Sequence, residues 1–242
     1  MFGEFMILND RRENKPLQWR TSKAQELFFY LLHHRGKIIS KSILIELLWS
    51  DFELQKALSQ LYTAIYHIRK TLERLKGRIL LQNTADGYIL RLENMELDVD
   101  ELERFLHTDS LLANDTVSEY GRILKLIEGE YLEGFNFDWV EYERQRYQLQ
   151  WIRLKMEMVN WFYEQQEFEK AFKHCDQICT RFPMEEQAQL MYLKICDKRG
   201  YHFLVQRQYQ LYDHLMDREN NERPGSEISK WYEHWEKKQM KE

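Results

Sequence analysis

Between Leu58 and Leu75 the chain reads "LSQLYTAIYHIRKTLERL", and its polar residues share a chemistry. Ser59, Tyr62, Thr63, Tyr66, His67 and Lys70 all carry hydrogen-bonding groups, and Glu73 is the only acid in the stretch. Such a surface suits a partner rich in acceptors and negative charge. His67 and Lys70 can donate to purine acceptors, and Thr63 can hydrogen-bond or set its methyl against thymine. Tyr62 and Tyr66 can reach phosphates or bases. Arg69 and Lys56 stand at the margins and suit phosphates, which fix register without carrying sequence information. Thr21, Ser22 and Lys23 open an earlier helix, whose first amide N–H groups can take a phosphate. The polar face of residues 59–70 can equally be an ordinary solvated helix surface.

A face needs an element to hold it. Leu58, Leu61, Ile65, Ile68, Leu72 and Leu75 recur at three- and four-residue steps, the stripe that a helix buries. A helix about 10–12 Å across fits the major groove of DNA. Next comes "GRILLQNTADGYILRL", two runs of β-formers around Asp86-Gly87, a turn pair that readily takes positive φ. That predicts a hairpin, which can lean on the neighbouring DNA backbone or minor groove. Upstream, "TSKAQELFFYLLHHRG" predicts a helix. Ser22 and Gln25 have capping-box spacing, and Leu27, Phe28, Leu31 and Leu32 form the buried face. Gly36 ends it, with His33, His34 and Arg35 near the negative end of the helix dipole. "SKSILIELLW" is a short helix with Ser40 as cap, and "SDFELQ" a loop. "FGEFMIL" alternates weakly and reads as a strand. "KPLQWR" reads as a second, with Pro16 at its start, where a missing N–H matters least.

The totals bound the classes. A chain of 242 residues makes one or two domains, and 43% hydrophobic with 31% charged residues allows both a core and solubility. Only 3 prolines and 9 glycines punctuate it, which favours long helices. Three cysteines, all in the last third, make no disulfide framework and fit a reducing cytosol. No apolar run approaches the roughly 18 residues of a membrane helix. The start "MFGEFMILNDRRE" is not a secretion signal, so a cytoplasmic protein without membrane contact is expected. The net charge of -5 is uneven: residues 1–100 hold 15 Lys/Arg against 13 Asp/Glu, the remainder 20 against 27. Only the first part is suited to a polyanion, and its excess is modest.

"ENMELDVDEL" marks a change, after which helices alone are predicted, roughly at 98–110, 116–129, 138–166, 167–182, 184–199, 201–219 and 226–239. Helices in succession with brief connectors point to stacked hairpins. Ala171 and Pro183 have the spacing of the small residue and terminal proline of a tetratricopeptide repeat. A shift of 34 puts Val205 at the small position and Tyr209 at an aromatic one, and the proline does not recur. The repeat is degenerate. Trp139, Trp151, Trp161, Trp231 and Trp235 belong mostly to this core, with a partner-binding groove as the alternative. In "HCDQIC", His174, Cys175 and Cys179 lie close together, but no fourth ligand is nearby, so seam packing rather than metal is expected. No phosphate-cradling glycine loop, G-x-S-x-G, H-E-x-x-H or paired Cys-x-x-Cys occurs, so neither an enzyme nor a cofactor is expected.

"WRTSKAQELFFYLLHHRGKIISKSILIELLW", "ALSQLYTAIYHIRKTL" and "GYILRL", in that order, resemble an OmpR/PhoB-type winged helix. More narrowly, they resemble the version in the Streptomyces antibiotic regulatory protein (SARP) class and related response regulators. "LDVDELERF", "GEYLEGFNFDWVEYERQR" and "KAFKHCDQICTRFPMEEQAQLMYLKICDKRG" resemble the bacterial transcriptional activator domain that follows this winged helix. The resemblance covers nearly the whole chain. It implies a recognition helix from about Glu53 to Leu75, and a wing tip "NTADGY" with Asn83, Thr84 and Tyr88 near the DNA backbone. It also implies that the loop carrying Ser50, Asp51, Phe52 and Glu53 contacts RNA polymerase. Tyr66 and His67 stand where relatives are often basic, and the wing tip carries Ala85 and Asp86 instead of arginine. In many relatives a phospho-acceptor receiver domain precedes this region, so the chain reads as the output part of a two-component response regulator.

The expected architecture is mainly α with a small β component: a winged helix-turn-helix over residues 1–95 and an all-α, tetratricopeptide-like domain over 96–242. The expected function is sequence-specific transcription regulation. The expected partners are double-stranded promoter DNA, RNA polymerase, a second copy of the chain on DNA, and a peptide or protein on the helical domain. The competing expectation is a protein-interaction adaptor whose winged helix no longer binds DNA.

Overall fold

The computed structural model describes residues 1–6, 17–75, 77–108 and 112–240. They form two compact units. One comprises Met1, Gly3–Glu103 and Leu132–Asp138; the other Phe2, Arg104–Tyr131 and Trp139–Glu242.

In the first unit, α1 spans Ser22–His33. Its cap is Thr21, one residue earlier than the Ser22/Gln25 spacing implied: Thr21 is extended, and its Oγ1 accepts from the Ala24 N–H at 3.1 Å. Either hydroxyl has the right chemistry. The β-branched residue is the one that favours the extended backbone a cap needs. Thr21→Ala is therefore expected to cost about 1 kcal/mol. Ser22→Ala should stay within about 0.5 kcal/mol. Amide exchange in α1 through a urea series, compared between the two variants, decides, and a larger loss at Ser22 returns the cap to that residue. After α1 the chain turns at Gly36, with φ of 76°, and the Gly36 N–H donates to the Leu90 carbonyl at 2.8 Å.

A two-residue β1, Ile39–Ser40, leads into α2, Lys41–Trp49, capped by Ser40 as expected. Then come α3, Leu54–Leu72, a 3-10 turn at Glu73–Leu75, β2 at Ile79–Asn83 and β3 at Gly87–Leu92. The antiparallel sheet has the order β1-β3-β2, with Ile39 opposite Tyr88 and Leu81 opposite Leu90. Leu27, Phe28, Leu31 and Leu32 of α1 are buried, as are Leu61, Ile65, Ile68 and Leu72 of α3, and α1 packs on α3. Leu58 and Leu75 are only half-buried, and Ala57 and Ala64 complete the seam instead. Small residues there let the two helices approach closely. Phe29 is the hub of an aromatic cluster, 4.9 Å from the Phe5 ring and 4.5 Å from that of Phe135.

Three expectations are corrected. Residues 2–6 of "FGEFMIL" form no strand beyond one bridge of Phe2 to Tyr131, and residues 7 and 8 lie outside the described residues. Residues 17–20 of "KPLQWR" are not a strand, while Lys15 and Pro16 lie outside the described residues. This segment is tied by side chains instead: Thr71 Oγ1 donates to the Gln18 carbonyl at 3.1 Å, and the Trp19 ring lies 4.8 Å from Phe28. The hairpin forms, but neither Asp86 nor Gly87 has positive φ. The Thr84 N–H donates to the Gly87 carbonyl at 3.0 Å, and the Gly87 N–H to Thr84 Oγ1 at 3.1 Å. Glycine is needed at 87 because of crowding: a Cβ there would sit 1.9 Å from the Ile39 carbonyl oxygen.

Helix α4, Asp98–His107, runs across the division between the units. Among the described residues, the regular elements that follow are all helices: α5 Val117–Leu126, α6 Asp138–Glu164, α7 Phe168–Arg181, α8 Glu186–Lys198, α9 His202–Asn220 and α10 Ser226–Gln239. The predicted helices fall on these to within a few residues, except that 109 and 110 lie outside the described residues. Helix α8 packs on α7, α9 and α10. Ala171 and Val205 are fully buried. Trp151 and Trp235 are core, whereas Trp139, Trp161 and Trp231 are half-buried. Among the described residues, no helix is long and apolar enough to cross a membrane.

Candidate nucleic-acid interface

The buried stripe of α3 leaves its opposite side to solvent. Ser59, Thr63, Lys70 and Lys56 are exposed there, and Tyr62 and Tyr66 are 49% and 52% exposed. No acid interrupts the helix from Leu54 to Leu72. His67 is half-buried, with its ring 5.5 Å from that of Tyr66. Thr63 Oγ1 donates to the Ser59 carbonyl at 2.9 Å, so its hydroxyl proton is used within the helix.

The lysines rest on rings. Lys70 Nζ lies 5.1 Å from the Tyr66 centroid, and Lys56 Nζ lies 4.4 Å from that of Phe52. A hydrogen bond with Tyr66 raises the Lys70 pKa above the ordinary lysine value, while Arg20, close by, opposes it. Arg69 is exposed but turned to the hairpin: its Nη2 donates to Asn83 Oδ1 at 3.0 Å and to the Leu81 carbonyl at 3.3 Å. The arginine thus ties the helix to the wing.

The structure places the remaining candidates as follows. Thr21, Ser22 and Lys23 are exposed at the start of α1, with the Thr21 hydroxyl engaged as the cap and Lys23 paired with Glu26 at 3.3 Å. Asn83 is exposed at the hairpin, and Thr84 is half-buried with its hydroxyl closing the turn. Tyr88 is a correction. It is 2% exposed, and burial raises its phenol pKa, so its ring belongs to the core instead of a backbone-facing surface. In β3, residues 87 to 90 are all buried, so the usual in-out alternation does not send Tyr88 outward. Ser50, Asp51, Phe52 and Glu53 form an exposed loop between α2 and α3, anchored by buried Trp49, whose carbonyl accepts from the Phe52 N–H at 3.0 Å.

Sequence reasoning passed over Lys41, Arg20 and Gln55. Lys41 Nζ stands 5.9 Å from the Tyr62 centroid, and its N–H donates to the Asp86 carbonyl at 3.2 Å. It therefore joins the start of α2 to both the recognition face and the wing tip. No local pattern links residue 41 with 62 and 86; the β1–β3 pairing brings it to 86, and the packing of α2 on α3 brings it to 62. Gln55 is exposed in the first turn of α3, where the polar periodicity would have included it.

The other chemical cluster is separate. Cys175, Cys179 and Cys196 are buried in the second unit, and Cys175 Sγ donates to the Ala188 carbonyl at 3.2 Å. Burial, then Lys155 and Lys173, push the His174 pKa down to about 4. Lys155 Nζ donates to Gln177 Oε1 at 2.5 Å and lies 3.4 Å from His174 Nδ1. Among the described residues, no group of three or more His, Cys, Asp or Glu is placed to hold a metal.

A helix with an acid-free polar face, flanked by a hairpin and held by two shorter helices, defines the winged-helix class. Residues 16–90 match the family described as "Transcriptional regulatory protein, C terminal", and this match supports reading the segment as similar to the OmpR/PhoB-type winged helix of transcriptional regulators. Among solved structures, the chain is similar to EmbR of Mycobacterium tuberculosis, in the structure titled "in complex with low affinity phosphopeptide". The TM-score is 0.71 at 15% identity, covering 96% of this chain and 62% of that one. At that identity the likeness concerns the fold: a winged helix followed by a helical domain. The chain thus spans about 62% of the length of the solved protein. No curated protein sequence matches significantly. Together these findings support the resemblance to SARP-type regulators.

Proposed function

We propose that this chain reads promoter DNA with α3 and regulates transcription from that site. The observation that carries the reading is the exposed, acid-free face of α3 joined to the hairpin through Arg69, on a domain of the matching family. In this reading α3 enters the major groove, while Lys56, Lys41, Arg20, Lys23 and the exposed wing residue Asn83 hold phosphates. The exposed loop at 50–53, with Phe52 40% exposed, contacts RNA polymerase and activates transcription. Two copies on a repeated operator add their phosphate contacts and offset the small positive charge. The helical domain, as a tetratricopeptide-like array, takes a peptide or protein partner. The phosphopeptide held in the EmbR structure supports a peptide partner. The proposal further places the chain in the cytoplasm, as the output part of a two-component regulator, binding rather than catalysing and without cofactor.

The test is binding of the full chain to a random-sequence duplex library at two salt concentrations, with selection and sequencing. Affinity is expected to fall steeply with salt and a motif to be enriched. Lys41→Ala should weaken every sequence and lower the magnitude of the salt slope by about 1. An unchanged slope removes Lys41 from the phosphate contacts. The adaptor reading draws on a second observation: Asp86 is exposed at the wing tip, where an acid opposes phosphate. No binding to any duplex at low salt would move that reading to first place.

A further inference from the structure

We infer that the operator is A·T-rich at the base pairs under the middle of α3. The inference rests on the DNA-reading proposal and names the sequence class read by that same face. The commonest specific contact in the major groove is an arginine or lysine bridging the O6 and N7 acceptors of guanine. The middle of α3 offers neither. Arg69 is committed to Asn83 and the Leu81 carbonyl of the hairpin. Lys56 and Lys70 lie at opposite ends of the helix, about 21 Å apart along its axis at about 1.5 Å per residue. Each ammonium is set against a ring, Phe52 or Tyr66. Between the two lysines the exposed positions are Ser59, Gln60, Tyr62, Thr63, Tyr66 and the hairpin-bound Arg69, with Gln55 just before them.

These groups favour adenine and thymine. Thr63 has spent its hydroxyl proton on the Ser59 carbonyl, so it has no donor left for guanine O6 or N7, while its methyl can pack on the thymine C5-methyl and its oxygen can still accept, as from adenine N6. The half-exposed rings of Tyr62 and Tyr66 give two further apolar surfaces on the same side. Gln55 has the paired donor and acceptor that match adenine N6 and N7. His67 donates equally to N7 of either purine and does not discriminate. With no cation of α3 itself aimed at guanine, and with Lys41, set beside Tyr62, assigned to phosphate in this reading, a G·C pair here would gain little and would lose the methyl contacts.

The experiment is the library selection with the full chain, followed by affinity measurements on the selected duplex and its analogues. The expected result is a motif whose central contacted pairs are A·T. Replacing a contacted thymine by deoxyuridine removes only the methyl, and should weaken binding about fourfold, the value of one methyl group withdrawn from water. Thr63→Ser, which keeps the hydroxyl and drops the methyl, should abolish the difference between thymine and deoxyuridine at one position while leaving the salt slope unchanged. A motif with a G·C core overturns the inference and leaves the regulator reading standing. Salt-sensitive binding without any motif also overturns it, since nothing is then read. Absence of binding to every duplex at low salt overturns both.

Discussion

Leu61→Ala is expected to destabilise the first unit by about 2–5 kcal/mol, the range for removing most of a fully buried leucine and leaving a cavity. Leu61 is wholly buried on the inner stripe of α3, the helix that packs on α1. The helix it packs on, α1, turns Leu27, Phe28, Leu31 and Leu32 inward, all nearly or fully buried. Aromatic and branched residues interlocked this way collapse poorly into a void, which argues for the upper half of the range. Ser59→Ala on the outer side of the same helix is the control and should stay within about 0.5 kcal/mol. Because the chain has two compact units, a single global transition is the wrong readout. Amide exchange in α1 and α3, followed through a urea series, isolates the unit concerned. A loss at Ser59 as large as or larger than that at Leu61 would mean that the buried stripe is wrongly assigned, and the DNA proposal would fall with the core assignment.

The same helix shows what was legible beforehand and what was not. Its periodicity separated Leu61, Ile65 and Ile68 from Tyr62, Thr63 and Tyr66, and burial follows that division. Helix spacing is a local property, carried by residues three and four apart. Pairings over long separations are not written locally. Arg69 reads as a margin phosphate contact because nothing in the linear pattern reveals that Asn83 lies beside it. Tyr88 reads as a wing residue because strands usually alternate, yet β3 is buried along four successive positions. Thr21 and Ser22 are both plausible caps, and only the backbone conformation chooses. The hairpin is correctly placed by Asp86-Gly87, but for a reason that turn chemistry does not contain.

That reason makes Gly87→Ala the other large expected effect. At most turn glycines an added methyl acts through backbone conformation. Gly36 is of that kind: its φ is 76° and the space around it is open, so alanine there should cost about 1 kcal/mol. At Gly87 the backbone is ordinary and the space is not. A Cβ would lie 1.9 Å from the Ile39 carbonyl oxygen and 2.7 Å from its carbonyl carbon. Both atoms belong to the backbone of β1, so no side-chain rotation relieves the clash. Strand β1 or β3 must move, and the pairing of Ser40 with Gly87 is lost. Ser40 also caps α2, and the next residue, Lys41, donates to the Asp86 carbonyl. The displacement therefore travels from the sheet to the start of α2 and separates Lys41 from Tyr62 on the reading face. Gly87→Ala is expected to cost about 3 kcal/mol or more, and to weaken DNA binding even at temperatures where the unit stays folded. Amide exchange in the first unit through a urea series, beside Gly36→Ala, with duplex affinity on the folded fraction, checks both halves. Equal costs at the two glycines would show that conformation alone explains Gly87 and that β1 does not press on the hairpin. A large stability loss with unchanged affinity would show that Lys41 works independently of the wing.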